Sequence, residues 1–145
     1  MATYGVLTGG GDCPGLNAVI RASVRRGLLE GHRFIGFHGG WRGLCEDDAH
    51  ALDLSNTAGL VTRGGTILGT SRTDPLADGP AGLRALCRTI ERHRVDALAV
   101  IGGDGTLGAA RDLSREGIPL VAIPKTIDND IGLTDYSVGF HTAVH

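Results

Sequence analysis

Apolar positions along the chain follow two alternating rhythms. Short apolar runs stand at Tyr4–Thr8 (YGVLT), Arg33–Phe37 (RFIGF), Ala97–Ile101 (ALAVI) and Pro119–Ile123 (PLVAI). Runs of this length, closed by glycine or proline, read as strands with both faces buried. Between them the apolar spacing widens to three and four. Leu16, Val19, Ile20, Val24 and Leu28 mark one face of a helix over Leu16–Leu29, which ends at Gly31. Leu83, Leu86, Cys87 and Ile90 mark a second helix, opened by Pro80, where a missing N–H does no harm. A third helix is expected over Leu107–Arg115, and another begins near Gly139–His145. Positions 45–63 follow neither rhythm cleanly: ALDL suits a strand and TAGLVTR a short helix, while GGWRGL breaks the second strand. Thr66–Thr70 (TILGT) reads as one more short strand.

Strands alternating with helices at this spacing predict the α/β class, a three-layer sandwich with a mainly parallel sheet between helices. No low-complexity linker or internal repeat divides the 145 residues, which suffice for one domain with a core. In such sheets ligands bind beyond the carboxyl ends of the strands. Attention therefore falls on three segments expected there: GGGDCPG after the first strand, GGDGT after Ile101, and PKTIDND after the last.

Composition narrows the classes. A formal net charge of −2 argues against a nucleic-acid surface or a polybasic membrane patch. The chain runs from MAT straight into a strand, with no basic n-region and no long apolar stretch, so neither a signal peptide nor a membrane span is expected. Cys13, Cys45 and Cys87 lack metal-type spacing and read as reduced thiols of a cytoplasmic protein. The six histidines show no ligand spacing and read as surface or core residues. Glycine is the outlier: the 24 present exceed twice the average share of about 7%. Their aperiodic clusters imply tight loops that let a ligand approach the main chain.

The segment GGGDCPGLN lies between a strand and a helix, so its amides can face an anion. It is not a Rossmann fingerprint, because Pro14 takes the place of the third glycine, and no Gly-Lys-Ser/Thr follows as a P-loop demands. In IGGDGT, three glycines surround Asp104, as they would where a bulky charged group meets the main chain and a carboxylate helps hold Mg²⁺. In PKTIDND, Asp128 and Asp130 stand two apart with Thr126 two before, a pattern suited to taking a proton from an alcohol. Lys125 adds a cation beside the same loop. Arg72, in RGGTILGTSRT, offers a guanidinium to phosphoryl oxygens during transfer. Each segment taken alone also admits a plain reading: a tight turn, an Asx turn or a surface arginine. Together they describe phosphoryl transfer from a polyphosphate donor to a hydroxyl, by a kinase of a sugar or small molecule.

These motifs resemble the 6-phosphofructokinase family. The matching segments are GVLTGGGDCPGLNAVIR, GWRGL, RGGTILGTSRT, IGGDGT and IPKTIDNDI followed by GLTDYSVGFHTA, in family order over nearly the whole chain. The resemblance implies a phosphofructokinase-like fold and transfer of a terminal phosphoryl group to the 1-hydroxyl of fructose 6-phosphate. It implies that Asp128 is the general base, with Thr126, Ile127 and Asp130 around the sugar and the moving phosphoryl. Gly11, Arg72, Thr73, Gly103, Asp104, Gly105 and Thr106 are implied donor contacts, with Asp104 linked to Mg²⁺. A homo-oligomer, tetramer or dimer, is implied for the complete enzyme.

Two positions bear on the donor. Gly105 matches ATP-using members, where pyrophosphate users carry an aspartate that would crowd a nucleotide's α-phosphate. Lys125 matches the pyrophosphate type. Because a missing side chain is a steric requirement for a nucleotide, whereas a lysine serves either phosphate, ATP is the expected donor and pyrophosphate the alternative. Arg21 and Arg25 match two effector arginines of allosteric members, but Leu54 and Gly59 replace their expected partners, so the usual nucleotide activation is not expected. The resemblance covers only the family's amino-terminal portion, without the domain that grips the sugar phosphate. The sequence is thus expected to be the donor-binding portion of the enzyme, with an isolated nucleotide-binding fragment without turnover as the alternative from a different class. The helix entered at Gly139 would normally continue over the sheet, so exposed apolar surface is expected there.

Overall fold

Val6 and Leu7 are neighbours in sequence and both wholly buried, yet they point into different cores. The inner strands of a layered α/β sandwich ask this of consecutive residues, and Val100 and Ile101 repeat the pattern. A computed structural model describes all 145 residues and places these two on β1 (Thr3–Thr8). The other strands are β2 (Arg33–Phe37), β3 (Ala49–Leu52), β4 (Ala97–Gly102) and β5 (Leu120–Pro124). They form one sheet in the order β3-β2-β1-β4-β5. Four strands run parallel, and β3 pairs antiparallel with β2.

Helix α1 (Leu16–Leu29) covers one face through Leu16, Ile20 and Val24, which meet Val6, Phe34 and Ile101. The other face is covered by α2 (Trp41–Glu46), α3 (Pro80–His93) and α4 (Asp104–Arg115). There Trp41, Leu44, Leu86, Ala110 and Leu113 pack on Leu7, Phe37 and Val100. The short helix α5 (Phe140–Val144) buries no residue. No helix is long and apolar enough to cross a membrane. Apolar side chains stand exposed on and after β5, among them Val121, Ile127, Tyr136 and Val144.

The expected layers and the four parallel strands are present; the connections differ from expectation. GWRGL is helical, closed by Asp47 in the left-handed conformation and tied to α3 by the Asp47–His93 contact of 2.6 Å. The strand expected at ALDL lies two residues earlier, where Ala49–Leu52 can follow β2 back along the sheet edge. TAGLVTR forms only a 3₁₀ turn at Leu60–Thr62. The segment Thr66–Thr70 is not a strand. Gly65 just before it and Gly69 within it adopt φ of 74° and 66°, which ends any extended run, and its main chain bonds to neighbouring loops instead. Helix α4 starts at Asp104 rather than at Leu107.

Candidate functional site

From β1 the chain moves outward to β2, and it later returns to β4 on the other flank of β1. The strand order reverses between β1 and β4, which is where an open α/β sheet leaves a crevice for ligand. Three loops and the irregular segment 63–73 meet there.

The loop after β1 is pinned at its root by Gly9, whose N–H donates to the Ile101 carbonyl at 2.9 Å. After β4, Gly103 alone separates strand from helix, so Asp104 becomes the first residue of α4. Its exposed carboxylate sits at the positive end of the helix dipole. Thr106 turns back and packs across the root of the first loop. A β-carbon on Gly9 would lie 2.5 Å from Thr106 Oγ1, and one on Gly102 2.5 Å from Thr106 Cβ. These two glycines are what let α4 begin hard against the first loop.

The third loop is tied to the other two by Lys125, which is 3% exposed. Its main-chain N–H donates to the Gly102 carbonyl at 2.9 Å, and its amine Nζ donates to the Gly11 carbonyl. Beyond it the chain turns sharply. Asp128 N–H donates to Thr126 Oγ1 at 3.1 Å. Asn129 adopts φ 50° and accepts from the Ser137 N–H at 2.9 Å while donating to the Asp135 carbonyl at 3.1 Å. Ser137 Oγ in turn donates to the Thr126 carbonyl at 2.8 Å. This network leaves Asp128 and Asp130 exposed on either side of a fixed Asn129, with Ile127 half exposed.

A cavity of about 630 Å³ opens at the junction. It is lined by Gly11, Arg72, Thr73, Gly103, Asp104, Gly105 and Thr106, so every residue expected to meet the donor faces one space. Gly105, Gly108, Ala109 and Asp112 continue the lining along one face of α4. A β-carbon on Gly105 would meet nothing within 4 Å. Thr126, Ile127, Asp128 and Asp130 lie outside this lining, on the loop that Lys125 anchors.

Sequence reasoning missed the cavity's apolar lining, Trp41, Leu76 and Ala109. Trp41 is 3% exposed and its indole N–H has no partner. It was hidden because GGWRGL reads as a strand break. Arg111 and Asp112, paired at 2.9 Å, form a polar rim, and the guanidinium holds the Asp112 carboxyl below the usual carboxylate range. Cys13 lies within the first loop; burial pushes its thiol up, against an opposing effect of Lys125.

The phosphofructokinase family model matches residues 3–145. The chain belongs to the phosphofructokinase family. A pyrophosphate–fructose 6-phosphate 1-phosphotransferase of Streptomyces coelicolor is 55% identical over 142 residues, which is 97% of this phosphofructokinase chain and 41% of the relative. ATP-dependent 6-phosphofructokinase 3 of the same organism is 54% identical over 143 residues, 97% of this chain and 41% of the relative. Identity therefore does not separate the donors, and the chain spans less than half the length of these relatives. Among solved structures, Pichia pastoris phosphofructokinase in the T-state matches with a TM-score of 0.88 at 31% identity, over 99% of this chain and 17% of that one.

Proposed function

We propose that this chain is the donor-binding portion of an ATP-dependent 6-phosphofructokinase of the cytoplasm, acting in glycolysis on fructose 6-phosphate. The observation that carries the donor assignment is the open space over Gly105 inside a cavity that Trp41, Leu76 and Ala109 also line. Pyrophosphate needs only the loops and Arg72. A nucleoside triphosphate also needs room past its α-phosphate and an apolar wall for its base, and a cavity of about 630 Å³ suits it.

In this reading the loop amides around Gly11 and the head of α4 hold the phosphates. Arg72 and Thr73 meet the γ-phosphoryl group, where the guanidinium neutralises charge that grows during transfer. Asp128 takes the proton of the sugar's 1-hydroxyl as that oxygen bonds to the γ-phosphorus and the bond to the bridging oxygen breaks, releasing ADP. Thr126 and Asp130 orient this carboxylate and the sugar, and Ile127 lies beside them. Asp104 fits Mg²⁺ by its chemistry: it offers one exposed carboxylate within the donor cavity, and Mg²⁺ is commonly held by one or two carboxylates together with phosphate oxygens and waters. The bound ion would neutralise phosphate charge.

A pyrophosphate-dependent enzyme is the second reading. The buried amine of Lys125, set against the first loop, favours it, and a Streptomyces coelicolor relative 55% identical to this chain bears that name. Phosphorylation of fructose 6-phosphate, with ATP and pyrophosphate compared side by side in magnesium buffer, separates the readings. Turnover with ATP supports the first, and turnover with pyrophosphate alone overturns it. A folded chain that binds ATP without turnover is the donor-binding portion acting by itself, for which a homo-oligomeric complete enzyme supplies the sugar-phosphate site.

A further inference from the structure

Arg72 and Thr73 reach the cavity from a segment with no helix or strand of its own between Arg63 and Thr73. Something other than regular structure must hold it, since loose main chain would let the guanidinium wander. We infer that two buried polar side chains, Thr8 and Asn17, form a clamp that positions this segment over the donor cavity. Thr8 is the last residue of β1, and Asn17 is the second residue of α1. They flank the first glycine loop, so the clamp joins one wall of the cavity to the other.

Asn17 is 1% exposed. Its Nδ2 donates to the carbonyls of Arg63 at 3.0 Å and Gly64 at 3.2 Å, and its Oδ1 accepts from the Ile67 N–H at 2.8 Å. Its main-chain N–H donates to the Gly65 carbonyl at 3.2 Å. The amide orientation follows from these partners: reversed, its oxygen would face two carbonyls and its NH₂ an N–H. Asn17 therefore replaces, for residues 63–67, the ladder bonds a strand would have had.

Thr8 is fully buried and holds the next stretch. Its hydroxyl donates to the Gly69 carbonyl at 2.8 Å and lies 2.9 Å from Thr66 Oγ1. Each hydroxyl has one proton, so Thr66 must donate to Thr8. Thr66 Oγ1 also accepts from the Leu68 N–H at 3.1 Å. The bonds thus run in one direction, from Leu68 through Thr66 and Thr8 to Gly69. Past Gly69 the main chain docks on the first loop itself, where the Gly10 N–H donates to the Ser71 carbonyl at 3.3 Å. Arg72 is the next residue.

Both residues touch main chain, not ligand, so they are positioning residues. The role rests on the donor reading above. It is tested on the full chain by titrating MgATP into Asn17→Asp and Thr8→Val, each alone and combined with Arg72→Ala. Asn17→Asp keeps the acceptor for Ile67 but sets a carboxylate against two carbonyls. Thr8→Val is nearly isosteric and removes only the hydroxyl, so it keeps the test decisive if the first variant does not fold. Each is expected to weaken MgATP binding about tenfold with Arg72 present and about twofold or less with Ala at 72. Amide exchange is expected to quicken over residues 66–73 ahead of the sheet. A purely structural role would lower stability equally in both backgrounds and give additive effects on binding. Additive effects, or unchanged MgATP affinity in a folded variant, overturn the clamp while leaving the donor reading intact. Failure of the unsubstituted chain to bind MgATP overturns the donor reading, and the clamp's role with it.

Discussion

The amine of Lys125, nearly sealed from solvent at the end of β5, donates a hydrogen bond to the Gly11 carbonyl in the loop after β1. With its main-chain bond to Gly102, the residue ties together the three loops that leave β1, β4 and β5. A bond made by a charged donor contributes about 1.5–3 kcal/mol, roughly twice a neutral one. Lys125→Met keeps the length of the stem and removes the charge. Its urea midpoint is expected to fall by an amount corresponding to about 1.5–3 kcal/mol, with weaker binding of both ATP and pyrophosphate. An unchanged midpoint would show that the contact holds nothing together.

Gly105 bears on donor choice. An aspartate there meets no protein atom as far as its β-carbon, so the fold is expected to be untouched. Its charge would enter the cavity where the nucleotide's α-phosphate must pass. Like charges in such contact cost several kcal/mol, so Gly105→Asp is expected to weaken MgATP binding by about two orders of magnitude. Pyrophosphate binding should change far less. Equal losses for the two donors in direct titration would remove Gly105 as the discriminating position.

Much of this was legible in the sequence because the strong signals were local. The apolar runs of β1, β2 and β4 are largely buried on both faces, as in only one class of sheet, whereas β5 at the sheet edge carries no wholly buried residue. The glycine clusters fell where the chain leaves strands. Less legible was anything that depends on a distant partner. Thr66–Thr70 reads as a strand by composition, but Asn17, 50 positions from Ile67, accepts from the Ile67 N–H, and Thr8, 61 positions from Gly69, donates to the Gly69 carbonyl. Trp41 lies in a stretch whose glycines mask a six-residue helix. Asn17 did leave a sign: a short polar residue beside the apolar stripe of Leu16, Ile20 and Val24, next to the loop. Its meaning appears only when the carbonyls of Arg63 and Gly64 arrive.

Asp128 stands exposed beside Asn129 on a loop held by Ser137 and Thr126. None of those bonds uses its carboxylate. Asp128→Ser should therefore fold normally while losing the proposed general base, for which the expected change is about 10²- to 10⁴-fold in turnover of the complete enzyme. Near-normal turnover with ATP and fructose 6-phosphate would remove Asp128 from that role.

Asp104 stands at the head of α4 within the cavity. Asp104→Ala is expected to raise, by about tenfold, the Mg²⁺ concentration needed for half-maximal nucleotide binding. A titration of magnesium at fixed ATP measures this. An unchanged requirement would mean that the ion is carried by phosphate and water alone.

His50 stacks on His38 with ring centroids 4.5 Å apart and planes 13° from parallel. Burial, joined by the charge of His38 and opposed by Asp48, pushes its imidazole below the ordinary value of 6.5. The unfolded chain then takes up the proton first as pH falls, so stability is greatest above that value and declines as pH drops through it toward the folded value. Thermal midpoints measured from about pH 7.5 down to about pH 5.5 should fall less steeply in His50→Gln than in the unsubstituted chain. Parallel curves would show that His50 titrates normally in the folded state.

The central claim is that the cavity between β1 and β4 takes a nucleoside triphosphate. Calorimetric titration of the chain with MgATP and with pyrophosphate tests it most directly, because every proposed donor contact lies within these residues. Saturable one-to-one binding of MgATP, tighter than that of pyrophosphate and weakened but still measurable in Arg72→Ala, is the predicted result. Binding of pyrophosphate with no measurable binding of MgATP would contradict it and make Lys125, rather than Gly105, the residue that decides the donor.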